Sequence, residues 1–382
     1  MTDLERILPL WRELESSGAD YVLTTVVGVE GPSYRKPGAL MLITADGRRA
    51  GTVSGGCLEA EVANRAWWLT KDGPTVQRYS TAADDGDVPY GSGCGGTVIL
   101  LLERSATARV LLGAQDKAFT ARTSLAVATI MEGPQTGVRA VAEFESSSGE
   151  GANLIEVAKL ALQRGKSMES VVEVGGVPTR VWCDFRPART GLWVFGAGDD
   201  AQPLVRLAKE LGWFVVVKDG RSHLARRERF PLADDADVLA IKKVNAPTEL
   251  LLGSIRHHDV AVLMSHSYEQ DLTVLAAFLA VGVPVRYLGV LGPQRRTREL
   301  LAEVAAKAKI AEERIPEQVE AWLTHLHAPT GLDLGAESPE SVALSVLAEI
   351  QKVLTRATAL PLREVRAAEL PREAAPTATS TV

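Results

Sequence analysis

Leu4, Ile7, Leu8, Trp11 and Leu14 recur at steps of three and four with polar residues between them, which predicts an amphipathic helix at the start of the chain. The period then changes. YVLTTVVGVEG (21–31) and ALMLITADGRRAGTVS (39–54) are apolar, β-branched runs that predict strands, with Asp46, Gly47 and Arg48 as a hairpin turn. CLEAEVANRAWWLTKDG (57–73) returns to helical spacing and is stopped by Gly73 and Pro74. GTVILLLERS (96–105) predicts a further strand, so a mixed α/β domain is expected over 1–105. Residues 106–187 hold more β-prone stretches, such as SLAVATIM and VVEVGGVPTRVWCDF. They predict ordered structure, but no motif assigns them a role.

From Gly191 the chain alternates strand and helix patterns: LWVFGAG, AQPLVRLAKELG, WFVVVKD, then DVAVLMSH, EQDLTVLAAFLAVG and PVRYLGVLG. Strands separated by helices of about a dozen residues predict a parallel sheet covered on both faces. The expected fold class is therefore α/β, with an N-terminal mixed domain and a C-terminal Rossmann-like domain over 188–358. A final helix starts at SPESVALSVLAEIQKVL, with Ser338 as N-cap and Pro339 in the first turn. Residues 359–382, rich in Pro, Ala and Thr, are expected to be a disordered tail.

Composition narrows the classes. The 382 residues carry a formal net charge of −6 and are 46% hydrophobic, which offers no global attraction to nucleic acid or to an anionic membrane. There is no run of 18 apolar residues and no cleavage-site pattern at the N-terminus, so a cytoplasmic protein is expected. Cys57, Cys94 and Cys183 are odd in number and lack a C-x-x-C pair, which fits a reducing compartment without structural zinc.

The candidate chemistry lies in turns. Gly196, Gly198 and Ala201 form a G-x-G-x-x-A string after a strand and before a helix, and Asp219 ends the next strand about 20 residues on. Such a turn lets a phosphate approach a helix N-terminus, and Asp219 is placed to hold a ribose hydroxyl. The plain alternative is a tight turn with no ligand. His266, in MSHSYEQD, falls at the carboxyl edge of a later strand, where open α/β sheets bind ligands; capping by Ser267 explains the same stretch. Arg295, Arg296 and Arg298 open a helix and suit either an anion or a solvated face. Gly55 and Gly56 precede Cys57 at the start of a helix, where the macrodipole favours a thiolate. Soft thiolates prefer soft metals or sulfur chemistry. Cys94 sits in a second glycine-rich turn, GSGCGG, and both cysteines also read as small buried hydrophobes.

These pieces together resemble the XdhC/CoxI family of accessory proteins for xanthine dehydrogenase and related molybdenum hydroxylases. GPSYRKPGALMLI and GTVSGGCLEAEV are similar to its N-terminal signature. GAGDDAQPL, DGRSHLA, SHSYEQDLTVL, YLGVLGPQRRTREL and HAPTGLDLGAESPESVALSVLAEI resemble its Rossmann half, in the family's order. The sequence departs at Ser54 and Pro293, where Gly and Ser are the commoner family choices. The resemblance implies a chaperone for molybdenum cofactor, either molybdopterin or its dinucleotide form. Such a protein protects the cofactor, supports its sulfuration with a cysteine desulfurase, and delivers it to an apo molybdenum hydroxylase. It implies cofactor contacts from Gly55, Gly56, Cys57 and Glu59, with Cys57 at the metal. Gly196, Gly198, Ala201, Asp219 and His266 would serve the other end, and a homo-oligomer is expected. Two other readings fit parts of the chain: an NAD(P)-dependent oxidoreductase with His266 as acid/base, and a nucleotide-sensing module without chemistry.

Overall fold

The structure, a computed structural model, describes residues 2–56, 58–80, 96–143, 147–149, 151–239, 252–282 and 285–366. The chain divides into two units, one comprising Met1–Gly191 with Ala208–Phe214, the other Leu192–Leu207 with Val215–Val382.

The first unit contains two five-stranded sheets. Strands β1 (Tyr21–Glu30), β2 (Leu40–Thr44), β3 (Arg49–Gly51), β4 (Thr75–Ser80) and β5 (Thr97–Arg104) form one sheet in the order β3-β2-β1-β5-β4. The second, in the order β8-β7-β6-β10-β9, comprises β6 (Leu125–Ile130), β7 (Arg139–Glu143), β8 (Ser147–Gly149), β9 (Met168–Val174) and β10 (Val177–Arg186). Period-two alternation sends β1 side chains to two different cores. Val22 and Val26 pack with Val62 and Ala66 of helix α2 (Glu59–Leu69), whereas Tyr21 and Leu23 meet helices α1 (Asp3–Ser17) and α3 (Ser105–Ala121). Leu125, Val127 and Val141 of the second sheet share that latter core, and Ala126 and Ala128 face helix α4 (Ala152–Arg164).

This unit runs through residue 105, where the sequence reading placed a boundary. Leu111, Leu112 and Val127 complete the core begun by Ile7 and Leu23, so the two segments share buried apolar surface. A charged tie reinforces the join. Glu103 of β5 and Arg139 of β7 have side chains only 0% and 2% exposed, and Arg139 Nη1 donates to Glu103 Oε2 at 2.6 Å.

In the second unit, β11 (Gly191–Phe195), β12 (Phe214–Asp219), β13 (Asp235–Val238), β14 (Val260–Leu263) and β15 (Tyr287–Val290) form a sheet ordered β13-β12-β11-β14-β15. The pairings β11–β14, β12–β13 and β14–β15 are parallel. The chain passes outward from β11 on one side, then returns to add β14 on the other, which creates a switch point between β11 and β14. Helices α5 (Ala201–Glu210), α6 (Tyr268–Val281), α7 (Gln294–Lys307), α8 (Ile315–Leu323) and α9 (Pro339–Thr355) accompany it. Phe278 of α6 meets Phe195 of β11 edge-on at 5.9 Å. A short helix α10 (Leu362–Arg366) forms within the segment read as tail; residues 367–382 lie outside the described residues. Among the described residues no helix is long and apolar enough to cross a membrane.

Candidate functional site: two glycine turns

The first turn joins β3 to α2. Leu58 occupies the N-cap of α2 without a side-chain bond, and the turn is organised from inside the helix instead. Glu59 Oε1 accepts from the Val53 and Ser54 amides at 3.1 and 2.8 Å, and Oε2 accepts from Ser54 Oγ at 2.6 Å. Ser54 Oγ in turn accepts from the amides of Gly56 and Leu58, both at 3.1 Å. Burial pushes the Glu59 carboxyl up, but these bonds outweigh it and hold the group below its usual range. Gly56 has φ +114, a conformation that favours glycine. Cys57 itself, and Cys94, lie outside the described residues.

Two side chains that the chemical reading had not singled out flank this turn. Arg35 Nε donates to the Thr52 carbonyl at 3.1 Å, and its guanidinium pairs with Asp3 of α1. Tyr34 lies against Gly55 with its ring 3.7 Å from where a β-carbon would stand, and it is 76% exposed. The signal was present in the Tyr-Arg-Lys-Pro-Gly run, but only the fold brings it beside a turn 20 residues later.

The second turn joins β11 to α5. Gly196 has φ +139, and a β-carbon there would stand 2.7 Å from the Met264 carbonyl group, so the approach to the segment after β14 excludes any side chain. Asp219, fully buried, holds the turn. Its Oδ2 accepts from the Ala197 amide at 2.8 Å and from Arg221 Nη2 at 2.8 Å, while Oδ1 accepts from the Arg221 amide and Nε at 2.9 and 3.0 Å. Burial pushes this carboxyl up, and the bonds from Arg221 and Ala197 bring it below its usual range. Where the sequence expected a ribose contact, both Asp219 oxygens accept bonds from this chain.

The acids inside the turn differ in their partners. Asp199 pairs with Arg229 at 2.6 Å, and Arg229 also donates to the Ala197 carbonyl at 3.0 Å. Asp200 Oδ2 lies 3.9 Å from Nε2 of His266, while Asp200 Oδ1 is buried beside Gly198 with no hydrogen-bond partner among the described residues. The His266 side chain is 74% exposed. Ser267 caps α6 by accepting from the Gln270 amide at 3.3 Å, as the plain reading of that stretch expected.

The basic cluster is occupied as well. Arg296 bonds buried Asp271 at 2.7 Å, Arg295 pairs with Glu299 at 3.0 Å, and Arg298 pairs with Glu320. Cys183 is fully buried, and burial pushes its thiol up to about 12, which leaves it unreactive at neutral pH. Among the described residues no three His, Cys, Asp or Glu side chains gather to hold a metal ion. The structure thus gathers Gly55, Gly56 and Glu59 in one turn, and Gly196, Gly198, Ala201, Asp219 and His266 around another in the second unit.

Comparison with known proteins decides the family. Residues 14–80 match the XdhC and CoxI family, and residues 192–350 match the XdhC Rossmann domain. A probable xanthine dehydrogenase subunit of Bacillus subtilis (strain 168) is 30% identical over 336 residues, which cover 86% of this chain and 92% of that protein. The chain belongs to the XdhC and CoxI family. Another relative, the molybdenum cofactor insertion chaperone PaoD of Escherichia coli (strain K12), is 26% identical over 364 residues, 92% of this chain and 90% of that protein. The crystal structure of a xanthine dehydrogenase from Bacillus halodurans superposes with a TM-score of 0.71 at 28% identity, covering 96% of this chain and 99% of that one. The XdhC match over 192–350 coincides with the parallel sheet and its switch point.

Proposed function

We propose that this protein is a maturation factor that binds molybdenum cofactor, supports its sulfuration together with a cysteine desulfurase, and delivers it to an apo molybdenum hydroxylase of the xanthine dehydrogenase type. The observation that carries this reading is the similarity to an insertion chaperone along nine-tenths of both chains, because it spans both glycine turns rather than the Rossmann half alone.

The residues fit the cargo in a specific way. When bound, the cofactor supplies a sulfur-ligated molybdenum centre and a flat pterin. Cys57, between Gly56 and Leu58, is the residue to contact the metal end, and Ser54 with Glu59 fixes the backbone that presents it. At the second turn the partly exposed Asp200 carboxylate lies beside Gly198 with Oδ1 unbonded among the described residues, which suits the N–H edge of a pterin or nucleobase. A phosphate in that place would meet the Asp200 charge. Asp219 acts as a positioning residue for Gly196 and Ala197. His266, exposed and 3.9 Å from Asp200, has no second group among the described residues to set it up as an acid/base for hydride transfer.

The test mixes purified protein, a cofactor source and an apo-hydroxylase, and follows recovered hydroxylase activity. Activation by the parent and its loss in Cys57→Ala and Gly198→Val is the expected result. Protein-dependent NAD(P)H oxidation that disappears in His266→Ala, without hydroxylase activation, would overturn the reading.

A further inference from the structure

Tyr34 is the most exposed of the large apolar side chains among the described residues, at 76%, and it stands at the first glycine turn. Its ring lies 3.7 Å from where a Gly55 β-carbon would be. The loop that carries it is anchored on both sides. Before it, Gly96 approaches the Pro32 carbonyl so closely that no side chain fits there. Across it, Ser33 Oγ donates to the Arg35 carbonyl at 2.9 Å, and Arg35 is itself held by Thr52 and Asp3. After it, the Gly38 amide donates to the Val26 carbonyl at 2.7 Å, and Arg186 of β10 donates to the Gly38 carbonyl.

Packing does not explain an anchored loop that holds an aromatic ring in water, because a ring stabilises a fold through the area it buries. The amides of the turn show which ligand the ring would serve. Val53 and Ser54 donate theirs to Glu59, and Gly56 and Leu58 donate theirs to Ser54 Oγ. A phosphate at a helix N-terminus needs free amide donors, and these four are engaged. A flat ring needs none of them. It needs an aromatic face fixed in advance, so that little ordering is lost on binding. A β-carbon at Gly56 would meet nothing within 4 Å among the described residues, so the backbone beside that face is open to a planar body.

We propose that Tyr34 is the stacking platform for the pterin ring of molybdenum cofactor, beside the turn that leads into α2. This role rests on the maturation reading and deepens it at the same turn. Tyr34 contributes through its ring face, so phenylalanine can replace it and an aliphatic side chain cannot.

The experiment uses the full chain carrying ¹³C in the rings of its six tyrosines, and free pterin, which has neither metal nor phosphate. The Tyr34 signal is identified by its loss in Tyr34→Phe. Pterin is expected to move that signal upfield saturably, as ring stacking does, while inorganic phosphate leaves it in place. By pterin fluorescence, Tyr34→Phe should bind within about twofold of the parent. Tyr34→Leu should bind about fivefold or more weaker, the lower end of base stacking on an aromatic side chain, with all three proteins melting alike. The same proteins enter the hydroxylase assay. An unmoved Tyr34 signal or undiminished binding by Tyr34→Leu would overturn the platform, while hydroxylase activation by the parent would leave the maturation reading standing. Activation lost in Tyr34→Leu with pterin binding intact would assign Tyr34 to docking the client protein, and the platform would fall. A parent that neither binds pterin nor activates the hydroxylase overturns both.

Discussion

The two glycine turns solve one problem with different partners for the acid that clamps them. In each, a strand ends, glycines release the backbone, a helix starts, and a buried carboxylate gathers the loop amides. Glu59 does this from within the helix that follows, through amides and one hydroxyl. Asp219 does it from the neighbouring strand and binds a guanidinium as well. Glu59 is bonded by neutral donors and feels the Arg35 guanidinium only through space, whereas Asp219 is bonded directly by an arginine. The Rossmann turn then regains negative character from Asp200, whose inner oxygen is unbonded among the described residues. Similar backbone shapes therefore present different potentials to a ligand.

The largest effect is expected from removing the neutral pair. Asp219→Ala leaves Arg221 facing a buried gap and the Ala197 amide without its acceptor. The buried amide loses a charged acceptor while Arg221, 38% exposed, stays solvated, so the cost is about 1.5–3 kcal/mol, which denaturant unfolding of the full chain will read. An effect below about 1 kcal/mol would mean that Asp219 does not hold the turn. Glycine replacement separates the turns next. Gly196→Ala combines φ +139 with a contact at 2.7 Å to Met264, whereas Gly56→Ala at φ +114 meets nothing within 4 Å among the described residues. The backbone conformation alone costs about 1–3 kcal/mol at each site, so the difference between the two melting shifts isolates the forced contact at Gly196. Equal shifts would remove that distinction.

A smaller and pH-dependent effect is expected at the first turn. In Glu59→Gln the amide nitrogen cannot accept the Ser54 hydroxyl proton, and Ser54 Oγ is already taking two amide protons. The loss is about 1–2 kcal/mol at neutral pH. Because the folded carboxyl lies below its usual value of 4.5, its contribution is present above that pH and fades as the pH falls through the folded value. Parent and variant should therefore converge in stability as the pH falls below 4.5. A gap that stays constant however far the pH falls within the folded range would show that charge is not what Glu59 contributes.

The sequence showed the Rossmann turn well because its signal is local: two glycines, a strand before, a helix after. It also placed Asp219 at the right strand end. What it could not show is that Arg221, two residues on, claims both oxygens of that acid. The second sheet was legible only as β-prone stretches, without an order or a role. LAVATI of β6 is buried on both faces, so it lacks the alternation that marks a half-exposed strand. The short β4, TVQRYS, carries too few apolar residues to stand out. Glu59 was legible as a residue near Cys57 but not as the clamp of its turn, since its partners are backbone groups five and six residues back.

The finest test of the comparison is Asp200→Asn. Asp199 is neutralised by Arg229, so Asp200 is the acid whose charge a ligand at Gly198 would feel most directly. Removing one charge about 4 Å from a phosphate relieves about 1 kcal/mol in a water-like dielectric, a factor of about five in affinity. ADP should therefore bind the variant about fivefold tighter by isothermal titration at low salt, with the gain shrinking as ionic strength rises. A reduced pterin without phosphate should show the reverse, since asparagine offers its N–H edge a weaker acceptor. Opposite signs for the two ligands would assign the pterin or base edge to this turn. A matching loss for both would mean that Asp200 shapes the turn rather than choosing what enters it.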